Sequence, residues 1–277
     1  MELRISELGF EVSLTILPVN DLYIHEETIP SSLRLLIADL SRVGHLKDPV
    51  IVDENSNVVL DGMHRVAAVK ALNLNFIPVC LVDYNDPRVK VHAWWRIIQG
   101  SEDKFKFFLE ASPFLSNPLP KEKLNDYINA YPLLVFSNGF YVFKSRDLFE
   151  SFSLVKNIEF HMSSSGFKVN YIPEFEAMDA LNSGRCIGVI SFPPISKRDV
   201  VMLAKSGRLL PHKSTRHVLP YRPVNLKVPL KILKMHDLCE ARILFMEFLK
   251  DRRGRLIPPG IFKGRRYEEY LYFFEEV

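Results

Sequence analysis

The chain has 277 residues, 47% of them apolar and 25% charged. This ordinary globular mix excludes a disordered or low-complexity class, and the length exceeds one typical domain of roughly 100–200 residues. The formal charge of +3 is too small to argue for nucleic acid, whose binding shows as a concentrated basic face. No window approaches the roughly 20 apolar residues that span a bilayer, and the first residues lack a basic region followed by an apolar run, so neither export nor a membrane anchor is expected.

In chain order, the alternation in "FEVSLTILP" predicts a strand over 10–18. "SSLRLLIADLSRVG" predicts a helix with Leu33, Leu36, Ile37 and Leu40 on one face, Ser31 or Ser32 as N-cap and Gly44 as stop. "DPVIVDENSNVVLDG" reads as two short strands joined by a turn over residues 54–57. A second helix, from about Met63 to Leu72, leads to a strand "FIPVCLV", so the first ninety or so residues form a compact α/β unit. After a loop at 83–90, Trp94 and Trp95 open an expected helical stretch, "VHAWWRIIQG". Further on, "PLLVFSNGFYVFKS" carries a hairpin signal at Ser137-Asn138-Gly139. "SRDLFESFSLVKNI", "SKRDVVMLAKSG" and "DLCEARILFMEFLKDRRG" read as helices, with a Pro-rich extended segment at 208–233 before the last of them and an aromatic tail after it. No internal repeat is visible. Cys80, Cys186 and Cys239 match no zinc spacing and are expected to be reduced, buried core residues, which suggests the cytosol. Gln99 is the only glutamine, a compositional hint of a thermophilic source. Arg252, Arg253, Arg255, Lys263, Arg265 and Arg266, interleaved with Pro, Gly and acids, read as a solvated surface.

The stretch with chemistry in it is "VVLDGMHRVAAVKALNLNFIPV". A strand that ends in a Gly-containing turn and opens a helix presents backbone N–H groups and the positive end of the helix dipole, which together favour a phosphate. Arg65 adds a planar fork for phosphate oxygens and His64 a further donor. The plainer alternative is that Asp61 caps the helix and Arg65 makes a surface pair.

This stretch resembles the nucleotide-binding turn of sulfiredoxins and of ParB-type partition proteins. Sulfiredoxin chemistry needs a cysteine nucleophile where this chain has Met63, a thioether that cannot attack phosphorus as a thiolate does. A partition protein would continue into a helix-turn-helix reader, and residues 91–130 show no short two-helix basic module. The chain is most similar to the free L-serine kinases, on three separated segments: "HEET" at 25–28, "LDGMHR" at 60–65 and "SGRLLPHKSTRHVLPYRPVNLKVPL" at 206–230. That resemblance implies an α+β architecture: a ParB/sulfiredoxin-like nucleotide-binding domain at 1–90, packed on a larger α/β domain at 91–277 that helps to close over the substrates. It implies phosphorylation of the hydroxyl of free L-serine by ADP or ATP with Mg²⁺, giving O-phospho-L-serine for cysteine synthesis or a related route in the cytoplasm, without nucleic acid or membrane as partner. Two other classes stand beside it: a ParB-like nucleotide-dependent DNA-binding or regulatory protein, and a kinase for another small hydroxyl compound.

The resemblance also implies roles. Glu26 matches the catalytic glutamate and would be the general base, with Glu27 the adjacent competitor. Asp61 would lie by the transferred phosphoryl group, orienting the hydroxyl or holding the metal, whose ligands are otherwise unknown. Gly62, Met63, His64 and Arg65 would hold the nucleotide. Ser214, Thr215, Arg216 and His217 would bind the amino acid, Arg216 as the carboxylate clamp, and Lys213 could reach phosphate. Trp94 would wall a pocket, although a large aromatic also serves a core. His92, His161 and His212 read as structural, and His45 as either a phosphate neighbour or a helix-end cap.

Overall fold

The computed structural model describes residues 1–111 and 117–275, with all their side chains except that of Arg265. The chain divides into two compact units, each built from discontinuous segments. The first comprises residues 1–90, 197–209 and 217–277, and the second residues 91–196 and 210–216. The chain first passes from one unit to the other at residue 90, but residues 197–209 and 217–277 belong with residues 1–90 and not with the 91–277 stretch. Hydrogen bonds within the first unit give the reason. Val228–Pro229 pairs antiparallel with His45–Leu46, and the buried Tyr221 hydroxyl donates to Ile5 O at 2.7 Å and Phe10 O at 3.1 Å.

The first unit is centred on a five-stranded sheet in the order Leu3–Glu7, Phe10–Pro18, Phe76–Val82, Val50–Asp53, Val59–Asp61. Only the Phe76–Val82 and Val50–Asp53 neighbours are parallel. Their near-continuous burial is what a central strand pair covered on both faces requires. The turn over 54–57 is held by Asp53, whose carboxylate accepts from Ser56 N at 3.1 Å and from the Ser56 hydroxyl. The first helix, Pro30–Val43, starts one turn position before the expected serine cap: Pro30 occupies the first turn, Ile29 is the N-cap, and there is no side-chain cap bond. Gly44 ends it in the left-handed conformation, as expected, and His45 Nδ1 lies 3.0 Å from Val43 O at the helix end. The segment 208–233 is extended in part, giving strands Thr215–Val218 and Tyr221–Val224 before a short helix Leu230–Leu233. The aromatic tail is a strand, Tyr270–Phe274, pairing parallel with Tyr221–Val224.

The second unit is a mostly antiparallel sheet in the order Lys168–Pro173, Lys90–Gln99, Gly188–Ser191, Leu133–Phe136, Gly139–Val142, and Thr215–Val218 also pairs with Lys90–Gln99. The stretch 90–99 is a strand and not the expected helix. Its β-branched and aromatic residues fit a pleated surface better than a helix, and the alternation places Trp95 and Ile97 against an apolar cluster of Val135, Phe140, Ala177 and Val189 while Arg96 points to the other face. The hairpin at 137–139 forms as expected. The expected helices are Leu148–Ser164 here, and Lys197–Lys205 and Leu238–Lys250 in the first unit. Cys80 and Cys186 are buried, but Cys239 is exposed on the last of these helices, contrary to expectation. In the basic C-terminal cluster Lys263 and Arg266 are solvated, Arg255 pairs with Glu275 at 3.1 Å, and the side chain of Arg265 lies outside the description. No helix among the described residues is long and apolar enough to cross a membrane.

Tyr221 supplies a direct test of how the C-terminal segment is fastened. Tyr221→Phe removes a buried donor from two carbonyls, and the unfolding free energy from urea titration should fall by about 1–3 kcal/mol.

Candidate functional site

In the first unit the turn after Val59–Asp61 is built around Gly62, with φ of 112°. A Cβ there would stand 2.6 Å from Val50 Cγ1 and 2.9 Å from Arg65 Nε. Glycine is thus required twice, by the backbone conformation and by the passage of the arginine beneath it. The helix Met63–Ala71 that follows has no side-chain cap on its N-terminus, so its first-turn amides keep the anion-attracting character expected from sequence. Met63 is buried; only its backbone is available to a ligand.

The polar residues of the knot are braces as much as ligands. His64 Nε2 accepts a 2.9 Å hydrogen bond from Ile29 N–H, which fixes this nitrogen as an acceptor and fastens the "HEET" loop to the first helical turn. Arg65 donates from Nη1 to Asp48 O and Pro49 O, and from Nη2 to Asp61 Oδ2 at 3.1 Å. Asp61 Oδ2 accepts a second bond, at 2.7 Å, from Arg222 Nη1. Arg222 is buried; it pairs through Nε with Glu269 and donates from Nη2 to His217 O at 3.3 Å. Burial works against its charge, but Glu269 and Asp61 outweigh it and raise the guanidinium's pKa further. Glu269 is itself pushed up, first by burial, with Arg222 opposing. Two carboxylates and two guanidiniums thus balance across this cluster.

Behind Glu26 sits a pair of buried imidazoles. The His25 and His217 rings meet edge-on at 5.6 Å, His217 Nε2 lies 2.8 Å from the Tyr84 hydroxyl, and His25 Nε2 lies 3.9 Å from Glu26 Oε1. Burial pushes the His25 pKa down to about 4, and His217 is lowered well below the usual range by burial and by His25. Both rings are neutral at pH 7. His217, expected at the substrate, therefore turns its ring into the interior.

The remaining expected residues lie in the second unit. Trp94 N–H donates to Ser214 O at 3.2 Å, and the Ser214 hydroxyl donates to Pro211 O at 2.6 Å. The Arg216 guanidinium, buried with Thr215, lies 5.7 Å from the Trp94 ring centre and 5.8 Å from that of Phe175. Lys213 Nζ stands 5.0 Å over Trp94. Of the two tryptophans, Trp95 serves the core and Trp94 faces the cations. His92 pairs with Glu174, and His212 with Tyr171.

Several comparisons bear on this arrangement. No family model matches the chain. A ParB-like protein of Sulfolobus acidocaldarius is 32% identical over 194 residues, covering 70% of this chain and 84% of that protein. An ATP-dependent L-serine kinase of Staphylothermus marinus is 29% identical over 236 residues, 80% of this chain and 92% of its own. The chain belongs to the family of the ParB-like protein and is similar over most of its length to L-serine kinases. Its mixed α/β fold is that of a solved free serine kinase in complex with AMP, with a TM-score of 0.66 and 24% identity over 79% of this chain and 93% of the other.

Within this family member, sequence reasoning did not single out Arg222, Glu269, Tyr84 or Phe175. Arg222 lies inside one of the matching segments, but its partners Asp61 and Glu269 are 161 and 47 residues away, and nothing local signals such pairs.

Two outcomes follow from this geometry. Gly62→Ala should cost about 1–3 kcal/mol of stability through the strained backbone alone, measured by urea titration. For His25 and His217, pKa values depressed in the folded state mean that the unfolded chain binds more protons as pH falls below about 6.5. The urea midpoint should therefore drop between pH 7 and pH 5, and drop less in His25→Asn.

Proposed function

We propose that this chain transfers the terminal phosphoryl group of ADP or ATP to the hydroxyl of free L-serine, giving O-phospho-L-serine. The observation that carries the reading is the Ile29 N–H to His64 Nε2 bond, which ties the loop bearing Glu26 to the helix start that would hold phosphate. We read the first unit as the ParB/sulfiredoxin-like nucleotide-binding domain. The first-turn amides beyond Gly62 cradle phosphate oxygens, and Asp61, Arg65 and Arg222 fix the turn's shape and charge.

Glu26 takes the proton from the serine hydroxyl as its oxygen attacks the terminal phosphorus; the bond from phosphorus to the bridging oxygen breaks, and AMP or ADP departs. Phosphoryl transfer leaves little covalent work to the protein, so positioning and charge stabilisation dominate. A neutral His25 beside Glu26 does not lower that carboxylate's basicity as an imidazolium would. Glu27 is the alternative base. Arg216, flanked by Trp94 and Phe175, is the clamp for the amino acid's carboxylate, and Thr215 and Ser214 shape the segment that carries it.

Mg²⁺ fits this donor set as an ion that travels with the nucleotide. Among the described residues no group of three or more His, Cys, Asp or Glu side chains could hold a metal, and Asp61 already answers two guanidiniums. Mg²⁺ commonly takes one or two carboxylates and completes its shell with phosphates and water; Asp61 and Glu26 are the residues that would reach it. When bound, it would neutralise charge on the phosphates. O-phosphoserine is serine with a good leaving group, suited to replacement by sulfide in cysteine synthesis, and three free thiols accord with the reducing cytoplasm.

Phosphorus NMR with Mg²⁺, L-serine and either nucleotide should show a phosphoserine resonance from the native chain, with turnover lowered about 10²–10⁴-fold in Glu26→Ala. Retained turnover in that variant moves the base to Glu27. Nucleotide consumed without phosphoserine points to another hydroxyl acceptor, whereas inertness with salt-sensitive duplex binding supports the DNA-binding class.

A further inference from the structure

Arg96 is among the large, fully buried side chains of the described residues, and none of the chemistry above uses it. Its strand, Lys90–Gln99, alternates so that Trp94 and Arg96 share a face. Across the antiparallel ladder Arg96 stands opposite Tyr171, as Trp94 stands opposite Pro173. The guanidinium is held between two rings, 4.9 Å from the centre of Tyr171 and 4.7 Å from that of Phe192, and it pairs through Nε with Glu159 of the helix Leu148–Ser164. Two further contacts lead away from this ion pair. Arg96 Nη1 donates to Trp94 O at 2.6 Å. The Tyr171 hydroxyl lies 3.4 Å from Glu159 Oε2 and 3.1 Å from His212 Nε2.

These two contacts reach the two ends of one small assembly. Trp94 is bonded through its own N–H to Ser214 O; His212 lies two residues before Ser214 and four before Arg216. A buried ion pair is weak evidence for stability, because desolvation of both charges offsets most of their attraction, and apolar residues of similar volume often serve a core as well. Its usual justification is that it fixes one geometry. Here the geometry fixed is the carbonyl of Trp94 on one side and the 212–216 segment on the other.

We propose that Arg96, with Glu159 and Tyr171, is a positioning cluster that sets Trp94 and the His212–Arg216 segment for the phosphoryl acceptor. This rests on the assignment of Trp94 and Arg216 to serine binding. The cluster acts on the acceptor and not on the nucleotide, so its loss raises the KM for L-serine and leaves the KM for nucleotide in place.

Arg96→Ala would remove the ion pair of the partly buried Glu159 and leave a cavity between two rings, a loss of stability that would blur the kinetics, so Tyr171→Phe is the informative variant: it deletes the hydroxyl and keeps the ring on Arg96. Two readouts are taken together: steady-state kinetics, and hydrogen exchange by mass spectrometry of peptides covering 92–97 and 210–216. Tyr221→Phe serves as a control that loses comparable stability in the other unit. The expected result for Tyr171→Phe is faster exchange at 210–216 and a serine KM raised about three- to tenfold, the scale of one hydrogen bond, with nucleotide KM unchanged and neither effect in the control. Unchanged exchange at 210–216 overturns the proposal whatever the kinetics. Faster exchange with an unchanged serine KM, in a protein that does phosphorylate serine, overturns it as well. A native chain that makes no phosphoserine refutes the proposed function instead, and the exchange result then decides by itself whether the brace exists.

Discussion

The first unit depends on one buried guanidinium. Arg222 joins Asp61 at the end of a sheet strand, Glu269 near the C-terminus and the carbonyl of His217, so that three distant parts of the chain share a single charged group. A charge in the interior is tolerated only when paired and hydrogen-bonded on all sides. Removing either carboxylate leaves the arginine undercompensated, and removing the arginine takes from both carboxylates the guanidinium they share. The cluster is one of the contacts that fasten the segment from His217 to Glu269 to the N-terminal sheet, beside the strand pairing at His45–Leu46 and the Tyr221 hydroxyl.

The same network shapes the turn on which the proposed chemistry rests. Asp61 is held from two sides, by Arg65 and by Arg222, and Arg65 can pass beneath the turn because position 62 has no Cβ. Residues that look in sequence like a set of phosphate ligands are thus partly a scaffold. On the proposed reading the amides at the helix start would bind phosphate, while His64 and Arg65 brace the turn and the end of the "HEET" loop. Division of labour of this kind suits phosphoryl transfer, in which a donor displaced by an ångström is worth far less than one already aimed.

The neutral imidazole pair follows the same logic. His25 and His217 are buried deeply enough to stay uncharged at pH 7, which keeps a cation from the back of the Glu26 loop while still filling the interior with groups that hydrogen-bond. In the second unit the order is reversed: a charged guanidinium, Arg96, is kept by stacking between two rings and by Glu159, and the polar contacts left over are turned toward Trp94 and His212.

Local sequence determined the elements whose cause is local. Gly44 and Gly62 sit where left-handed backbone is needed, Asp53 caps its own turn, the hairpin at 137–139 forms where its Asn-Gly stands, and the spacing of "LDGMHR" places a glycine turn before a helix start whatever surrounds it. The matching segments carried the resemblance to L-serine kinases. Tertiary structure decided the rest. Residues 90–99 contain nothing that forbids a helix, and became a strand because neighbours on both sides pair with it. One tryptophan of an adjacent pair went to the core and the other to the cations because a strand alternates its faces. His217, Arg222 and Arg96 took their roles from partners tens to hundreds of residues away. A buried charge or a neutralised imidazole is a property of its surroundings, and no short stretch of sequence contains those surroundings.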